Sequence, residues 1–406
     1  MRIFEGIKVW DMSWVGVGPL TARYLADHGA TVVHMDSAMR PDVLRMAPPF
    51  KNGTFGINNS MFFGDFNCSK LGLGLNLQKE SARRIAWRMA LWADVLLESF
   101  TPGTMARLGL AYQDLAQENP GLIMLSTCMQ GQTGPLATYP GFGNLMAALT
   151  GFYEITGMRG GEPLPPYGAY TDFIAQRYCA LAVCAALDVK RRTGKGQYID
   201  VSQYEAALQN LGPELLDFAC NGREATRMGN ADSHSAPHGV YPCAGEDRWI
   251  AIACRDEAEW QQLERLMGQP AWAAESRFAT REGRKRHEAD LDRHIAQWTA
   301  GFAVRELFHL LAPHLPAGIV HDQSGLYTDA QVLYRDYFIE MEHAVMGKVP
   351  YTGPQATFSR ADNRPTKPSP ALGEHSRLVL ERYLGLSAEE IDALVQEGAV
   401  EVFEAS

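Results

Sequence analysis

Short apolar runs alternate with amphipathic stretches through the first half of the chain. Ile7–Trp10 reads as a strand, and Gly16-Val17-Gly18-Pro19 as the turn that follows it. Leu20–His28 reads as a helix, with Leu20, Tyr24 and Leu25 on one face and Gly29 as its stop. Ala30–Met35 is a second strand, closing on Asp36. The alternation continues with an extended Gly72–Leu77, a helix over Glu80–Leu91, and strands at Asp94–Glu98 and Leu122–Thr127. A loop rich in Gly and Pro runs from Gln130 to Gly143. A long helix follows over Phe173–Arg192, with Lys190, Arg191 and Arg192 in its last turn, where cations suit the helix dipole. Gln197–Val201 is a further strand. Strands that alternate with helices predict an α/β fold built on a parallel sheet.

The texture changes near residue 222, where a polar stretch runs to His238. Two strands are expected at Gly239–Pro242 and Arg248–Ala253, then a helix at Ala258–Met267. A charge-dense, exposed helical stretch at Arg277–Arg293 follows, then a helix at Val304–Leu311 and a strand at Gly318–Val320. The tail carries Pro350, Pro354, Pro365, Pro368 and Pro370 and reads as extended and loop-like, ending in a helix near Ala388–Glu397. The expected division is 1–225 for a large Rossmann-like domain and 226–330 for a smaller α+β domain. Residues 331–406 form a return segment and the C-terminal part of the large domain.

Composition narrows the function classes. Acidic residues outnumber basic ones, 47 to 37, for a net charge of -10. That balance argues against a nucleic-acid partner, whose phosphates call for clustered Lys and Arg. The seven cysteines are scattered with no CxxC pair, as expected of buried thiols in a reducing cytoplasm. The start, MRIFEGIKVWDMS, lacks a signal-peptide pattern, and the apolar run Cys179–Leu187 is too short to span a bilayer. The expectation is a cytoplasmic protein with no membrane partner.

Three constellations carry candidate chemistry. Gly16 and Gly18 follow the first strand as in a dinucleotide fingerprint, but Thr21 stands at the third glycine position and Pro19 intrudes. A tight turn is the better reading. His234, His238, Cys243 and Cys254 lack the close pairing of a zinc site, so no metal is expected. Asp172 precedes a strongly apolar helix. It reads first as a helix cap, accepting backbone N–H groups. The same position keeps a carboxylate ionised beside a pocket, where it can attack an acyl group. The two readings are compatible.

The chain also carries ordered segments that resemble the class III CoA-transferases. They begin with Leu25-Ala26-Asp27-His28-Gly29-Ala30-Thr31-Val32-Val33 and continue through Phe66-Asn67-Cys68-Ser69-Lys70 and Leu75-Asn76-Leu77. Glu98-Ser99-Phe100-Thr101-Pro102-Gly103 runs into Arg107-Leu108-Gly109, and Asn119-Pro120-Gly121 leads to Gly131-Gln132-Thr133-Gly134-Pro135. Arg192-Thr193-Gly194-Lys195-Gly196-Gln197, Ala236-Pro237-His238-Gly239 and Leu372-Gly373-Glu374-His375 complete the series. This family includes formyl-CoA:oxalate CoA-transferase, carnitine CoA-transferases and 2-methylacyl-CoA racemases.

The resemblance implies a Rossmann-like large domain with a smaller α+β domain, in a dimer of interlocked rings. It implies that Asp172 is the acyl-accepting nucleophile, passing through a mixed anhydride and an aspartyl-CoA thioester. It implies CoA contacts at Lys70, Ser99, Phe100 and Arg107, with Arg40 or Arg45 to compensate where the usual phosphate contacts near residues 36–40 are replaced. Gly16, Gln130, Gly131, Phe142 and Tyr170 are implied as substrate or loop residues. Two departures stand out. Gly16 occupies the place of an active-site Gln in the formyl-CoA enzyme, and His34-Met35-Asp36-Ser37 replaces a Lys-x-Glu stretch. Coenzyme A thioesters are then substrates, with no tightly bound cofactor. The partners are an acyl-CoA, a free carboxylic acid, and a second copy or a similar subunit. Succinyl-CoA as donor and an aryl-substituted succinate as acceptor fit the overall likeness. Two alternatives stay open, a racemase of the same family and a non-catalytic partner subunit. The racemase motif has a His after the Gly-Pro loop that Pro140-Gly141-Phe142-Gly143-Asn144 lacks.

Overall fold

The structure, a computed structural model, describes residues 1–404. It forms two compact units. The first comprises Met1–Phe152, Pro165–Glu224 and the chain from Arg335 onward; the second comprises Tyr153–Leu164 and Ala225–Tyr334. The segment Tyr153–Leu164 was expected in the large domain and instead packs within the second unit. Arg227 holds it there, donating to the backbone and side chain of Glu154 at 2.8 and 2.7 Å and to Gly161 O at 3.0 Å.

The first unit is built on a seven-stranded sheet. Its strands are β1 (Lys8–Asp11), β2 (Thr31–Asp36), β3 (Leu71–Leu75), β4 (Val95–Glu98), β5 (Ile123–Cys128), β6 (Tyr198–Ser202) and β12 (Val400–Glu401). Their order is β12-β3-β2-β1-β4-β5-β6, parallel throughout except for antiparallel β12 at one edge. Successive side chains face opposite sides of a strand. Val9, Val32 and Leu97 therefore pack under the helices Val17–Asp27 and Tyr170–Thr193. Trp10, Val33 and Leu96 pack under Glu80–Trp92 and the C-terminal helices. Strand order reverses between β1 and β4, and in open α/β sheets the crevice at that switch point, beyond the carboxyl ends of the strands, is where ligands bind.

Two buried ionic clusters fix the loops at that end. The Lys70 ammonium uses all three protons, on Asp11 Oδ2 (2.8 Å), Pro19 O (2.9 Å) and Asn67 Oδ1 (2.7 Å). His34 Nδ1 lies 2.9 Å from the same Asp11 oxygen, and Asp11 Oδ1 accepts from the Ser13 backbone at 3.1 Å. Burial pushes the Asp11 carboxyl up, but Lys70 and His34 outweigh it and hold it well below the usual carboxylate range. Beside this cluster, Asp36 accepts from Arg45 Nε at 2.5 Å, and Asp42 accepts from Val15 N at 3.1 Å. Val15 sits at φ +67°, and a Cβ on Gly18 would lie 2.1 Å from Ser13 Cβ. These contacts constrain the loop after β1 and leave no room for a side chain at Gly18.

The tail differs from its expected loop. Phe338–His343 (β10) and Gly347–Thr352 (β11) form an antiparallel hairpin, and Ser376–Leu384 is a helix. Pro350 does not break the pairing because β11 pairs with β10 alone, which leaves its other edge free of ladder bonds. Val349 and Tyr351 point inward from either side of it. The second unit has a three-stranded antiparallel sheet, β7 (His238–Pro242), β8 (Trp249–Ala253) and β9 (Ala317–Val320), with helices Glu257–Leu266, Glu288–Thr299 and Val304–Leu311 over a core that includes Ile250, Ile252 and Trp260. No helix of the described residues is long and apolar enough to cross a membrane.

Removing one partner of a buried ion pair strands the other charge, whereas replacing both is far less costly. Lys70→Met is expected to lower unfolding stability by about 3–5 kcal/mol in urea titration. The double variant Lys70→Met with Asp11→Asn is expected to recover most of that loss. A Lys70→Met protein of wild-type stability would show that the ammonium is not structural.

Candidate active site

The carboxyl ends of four adjacent strands converge on one cleft of about 230 Å³. The loop after β1 supplies Trp14–Val17, β4 supplies Ser99–Pro102, the end of β5 supplies Thr127–Met129, and Gln203 follows β6 directly. The stretch 137–143 closes one side, and Asp172 lies at the base. The cleft falls below the roughly 300–1,000 Å³ of a pocket that encloses a whole drug-sized ligand, so it suits the reacting end of a larger molecule. Its walls are largely apolar, with Trp14, Phe100, Tyr139 and Phe142 the aromatic residues among them, and no Lys, Arg or His lines it.

Asp172 was expected as a helix cap, and the structure places it differently. Ala169 is the N-cap of the Tyr170–Thr193 helix, and no side chain caps it. Asp172 lies in the first turn, 8% exposed, and its Oδ1 accepts from Gln203 Nε2. Two glycines make room for the carboxyl group. A Cβ on Gly16 would lie 2.6 Å from Oδ2, and one on Gly143 would lie 2.7 Å from Oδ1. Burial pushes the Asp172 carboxyl up to about 6, and the Gln203 bond is the opposing influence. At pH 7 the group is ionised by about ten to one. Cys128, the thiol that lines the same cleft, is pushed by burial to about 11 and stays protonated. Between these two nucleophiles, only the carboxylate is in its reactive form at neutral pH.

The other expected residues fall into three groups. Gly16, Ser99, Phe100 and Phe142 line the cleft. Ser99 Oγ is tied to Trp14, accepting from its N at 2.8 Å and donating to its O at 3.1 Å, so its only proton is used. Phe100 stacks edge-on against Trp14, with ring centroids 5.4 Å apart. Arg40 and Arg107 are exposed and within one residue's reach of the lining. Arg40 stands over the Trp14 ring at 5.5 Å, and Arg107 donates to Thr104 Oγ1 at 2.7 Å, next to the lining residue Thr101. Gln130, Gly131 and Tyr170 do not line the cleft. Gly131 lies against Asp200 and Ser202, and the Tyr170 ring packs on Phe152 at 5.3 Å.

Lys70 is a correction. It was expected to contact CoA, but its side chain has no exposed surface and its protons are spent on Asp11, Pro19 and Asn67. Its place in the core follows from the apolar strand it precedes. Gln203 and Gly143 were not singled out in the sequence. Gln203 had one available signal, its position just past a parallel strand, where α/β sites gather. No group of His, Cys, Asp and Glu among the described residues can hold a metal ion.

The burial of Asp172 has a consequence for stability. Its carboxyl titrates near 6 in the folded chain and near 3.8 unfolded. The folded state therefore holds the proton more tightly, and stability is lost as pH rises through this window. Asp172→Asn is expected to be more stable than wild type at pH 7.5, by on the order of 2–3 kcal/mol. The gain should shrink toward zero between pH 6 and pH 4, followed by urea denaturation at each pH. A variant no more stable than wild type at pH 7.5 would show that the carboxylate is not desolvated.

Known proteins resemble the chain across nearly its whole length. Rv1866 of Mycobacterium tuberculosis, named a probable CoA-transferase, is 30% identical over 404 residues, covering 97% of this chain; the chain spans half the length of that relative. Succinyl-CoA–D-citramalate CoA-transferase of Chloroflexus aurantiacus is 28% identical, with 97% of each chain covered. Among solved structures, a CaiB/BaiF family protein from Brucella suis superimposes with a TM-score of 0.87 at 28% identity, covering 94% of this chain and 99% of that one. The profile of CoA-transferase family III matches residues 4–376, and the chain, an enzyme of the CoA-transferase class, belongs to that family.

Proposed function

We propose that Asp172 carries CoA from an acyl-CoA donor to a free carboxylic acid. The observation that supports this is a largely ionised carboxylate, stripped of water and given space by two glycines, at the base of an apolar cleft. In the first step Asp172 Oδ2 bonds to the thioester carbonyl carbon, and the C–S bond breaks to release CoA thiolate. The thiolate then attacks Asp172 Cγ, expelling the donor acid and leaving an aspartyl-CoA thioester. The acceptor carboxylate attacks the same carbon, again releasing thiolate. The thiolate finally attacks the acceptor's carbonyl, yielding the new acyl-CoA and free Asp172. Dividing the transfer this way retains the thioester's energy and needs no general base, since every attacking group is already an anion.

Succinyl-CoA is the donor we favour, since the Chloroflexus relative is named for it. An acceptor bearing an aryl group, such as an aryl-substituted succinate, suits walls that contain Trp14, Phe100, Tyr139 and Phe142. We assign the phosphates of CoA to Arg40 and Arg107, since both are exposed beside the lining and guanidinium offers bidentate geometry. Both anhydrides are open to hydrolysis, so water exclusion matters. The apolar stretch 137–143 is the nearest cover. We further propose that the chain works as an interlocked dimer, with a copy of itself or a similar subunit. Large apolar side chains left exposed on the first unit support a partner, among them Leu181 at 67% and Leu216 at 66%. Racemisation would need two placed acid/base groups, and the cleft lining offers no His and no second carboxylate.

A mass-spectrometric screen of carboxylic acids with succinyl-CoA tests this reading. Wild type is expected to form new acyl-CoA, with kcat/KM falling about tenfold per pH unit below pH 6, as Asp172 becomes protonated. Asp172→Asn keeps the shape and the Gln203 contact but is expected to lose at least about a thousandfold in kcat. A variant that retains more than a few per cent of the rate would rule Asp172 out as the nucleophile.

A further inference from the structure

Gln203 occupies a position that the established family membership does not explain. It opens the short helix Gln203–Leu208 immediately after β6 and is 3% exposed. Ser202 caps that helix, accepting from Glu205 N at 3.2 Å, so the backbone at Gln203 is fixed. One proton of its amide goes to Asp172 Oδ1 and the other to Thr171 Oγ1 at 3.0 Å. Thr171, fully buried, gives its own hydroxyl proton to Gly143 O at 3.0 Å. Its oxygen can therefore only accept from Gln203. A carboxylate likewise only accepts, so both neighbours demand the NH2 group. The relay from Gly143 through Thr171 sets which way the carboxamide faces.

We infer that Gln203 is a catalytic residue, which holds Asp172 Oδ1 so that Oδ2 attacks and then stabilises the charge that forms on Oδ1 in the later steps. This inference rests on Asp172 being the nucleophile. Oδ2 faces the space left by Gly16 in the cleft, whereas Oδ1 lies against Gln203 and Gly143. Once Oδ2 has bonded to the acyl carbon, Oδ1 is the carbonyl oxygen of the anhydride. Attack of thiolate on Cγ moves the C=O electron pair onto Oδ1. Collapse restores the double bond and expels the donor acid, which takes Oδ2 with it. The acceptor carboxylate repeats the event at the same carbon, and thiolate leaves. In each attack at Cγ the negative charge develops on the atom to which the Gln203 N–H already points. A preorganised donor in a dry site acts in this way as half of an oxyanion hole. Before reaction the same bond opposes the effect of burial on Asp172.

Gln203→Met keeps the length of the side chain and removes the donor; Gln203→Glu keeps the shape and sets a second carboxyl beside the first. Gln203→Met is expected to lower kcat by about 100- to 1,000-fold, with the KM for acyl-CoA within about threefold of wild type. The acid limb of its kcat/KM profile should move up by about one pH unit, and that of Gln203→Glu further still, since adjacent carboxyls cannot both ionise easily. If both variants keep the wild-type kcat and acid limb, the inference is wrong. It is equally wrong if only the melting temperature falls while kcat per folded molecule and the pH profile hold. Should neither fold, Gln203→Asn, with its amide drawn back by one carbon, is expected to show the same two losses, and its failure to do so overturns the inference. Asp172→Ala measured alongside separates the two claims. An active Asp172→Ala removes the nucleophile itself, whereas an inactive one beside fully active Gln203 variants removes only the role of Gln203.

Discussion

A carboxylate attacks a thioester well when it is ionised and poorly hydrated, and these two demands oppose each other. Burial strips water from Asp172 and pulls a proton toward it; the Gln203 amide pulls the other way. The result is a carboxyl near 6, mostly charged at neutral pH yet only 8% exposed. Weaker burial would leave an ordinary hydrated aspartate. Without the amide, the group would tend toward the neutral acid. The rest of the site can be read as what maintains this balance. Gly16 and Gly143 leave space on either oxygen, and apolar walls keep the surroundings dry.

Such a balance requires fixed loops, and the fold supplies them from below. The loop after β1 carries Gly16 and is pinned by Asp42 on Val15 and by the Asp11–Lys70–His34 cluster under Ser13. Ser99 ties the loop after β4 to Trp14 on the loop after β1. These buried charges hold a geometry and need add little net stability, since buried ion pairs often do no better than apolar packing. A shift of one ångström at Gly16 would close the space beside Oδ2. The same clusters explain why a chain with an acidic balance has so few cations near its cleft. Lys70 and Arg45 are committed to the frame, which leaves Arg40 and Arg107 at the rim.

Much of the large domain was legible because its strands are short, apolar and set off by Gly, Asn and Pro. β1, β2, β4, β5 and β6 all fall within a residue or so of the expected runs. The hairpin Phe338–Thr352 was not legible, because five prolines in the tail outweighed a weak alternation, and an edge strand tolerates a proline that a central one does not. In the site, Asp172 stood out through its place before an apolar helix. Its partner did not, since Gln203 lies 31 residues away in sequence and nothing local marks an amide as a ligand. Lys70 misled for a related reason. The resemblance matched its position to a CoA contact, and nothing local reveals Asp11, 59 positions earlier, as its partner.

The central claim is that the Asp172 carboxyl is covalently activated, first as a mixed anhydride through Oδ2 and then as a CoA thioester at Cγ. The most direct measurement is to mix the protein with succinyl-CoA, quench with hydroxylamine, digest, and map the modified peptide by mass spectrometry. Hydroxylamine intercepts either activated intermediate at Cγ and converts the side chain to a hydroxamate. We expect that mass change on Asp172, dependent on succinyl-CoA and absent from Asp172→Asn. A label on another residue, or none while transfer proceeds at full rate, would contradict the account.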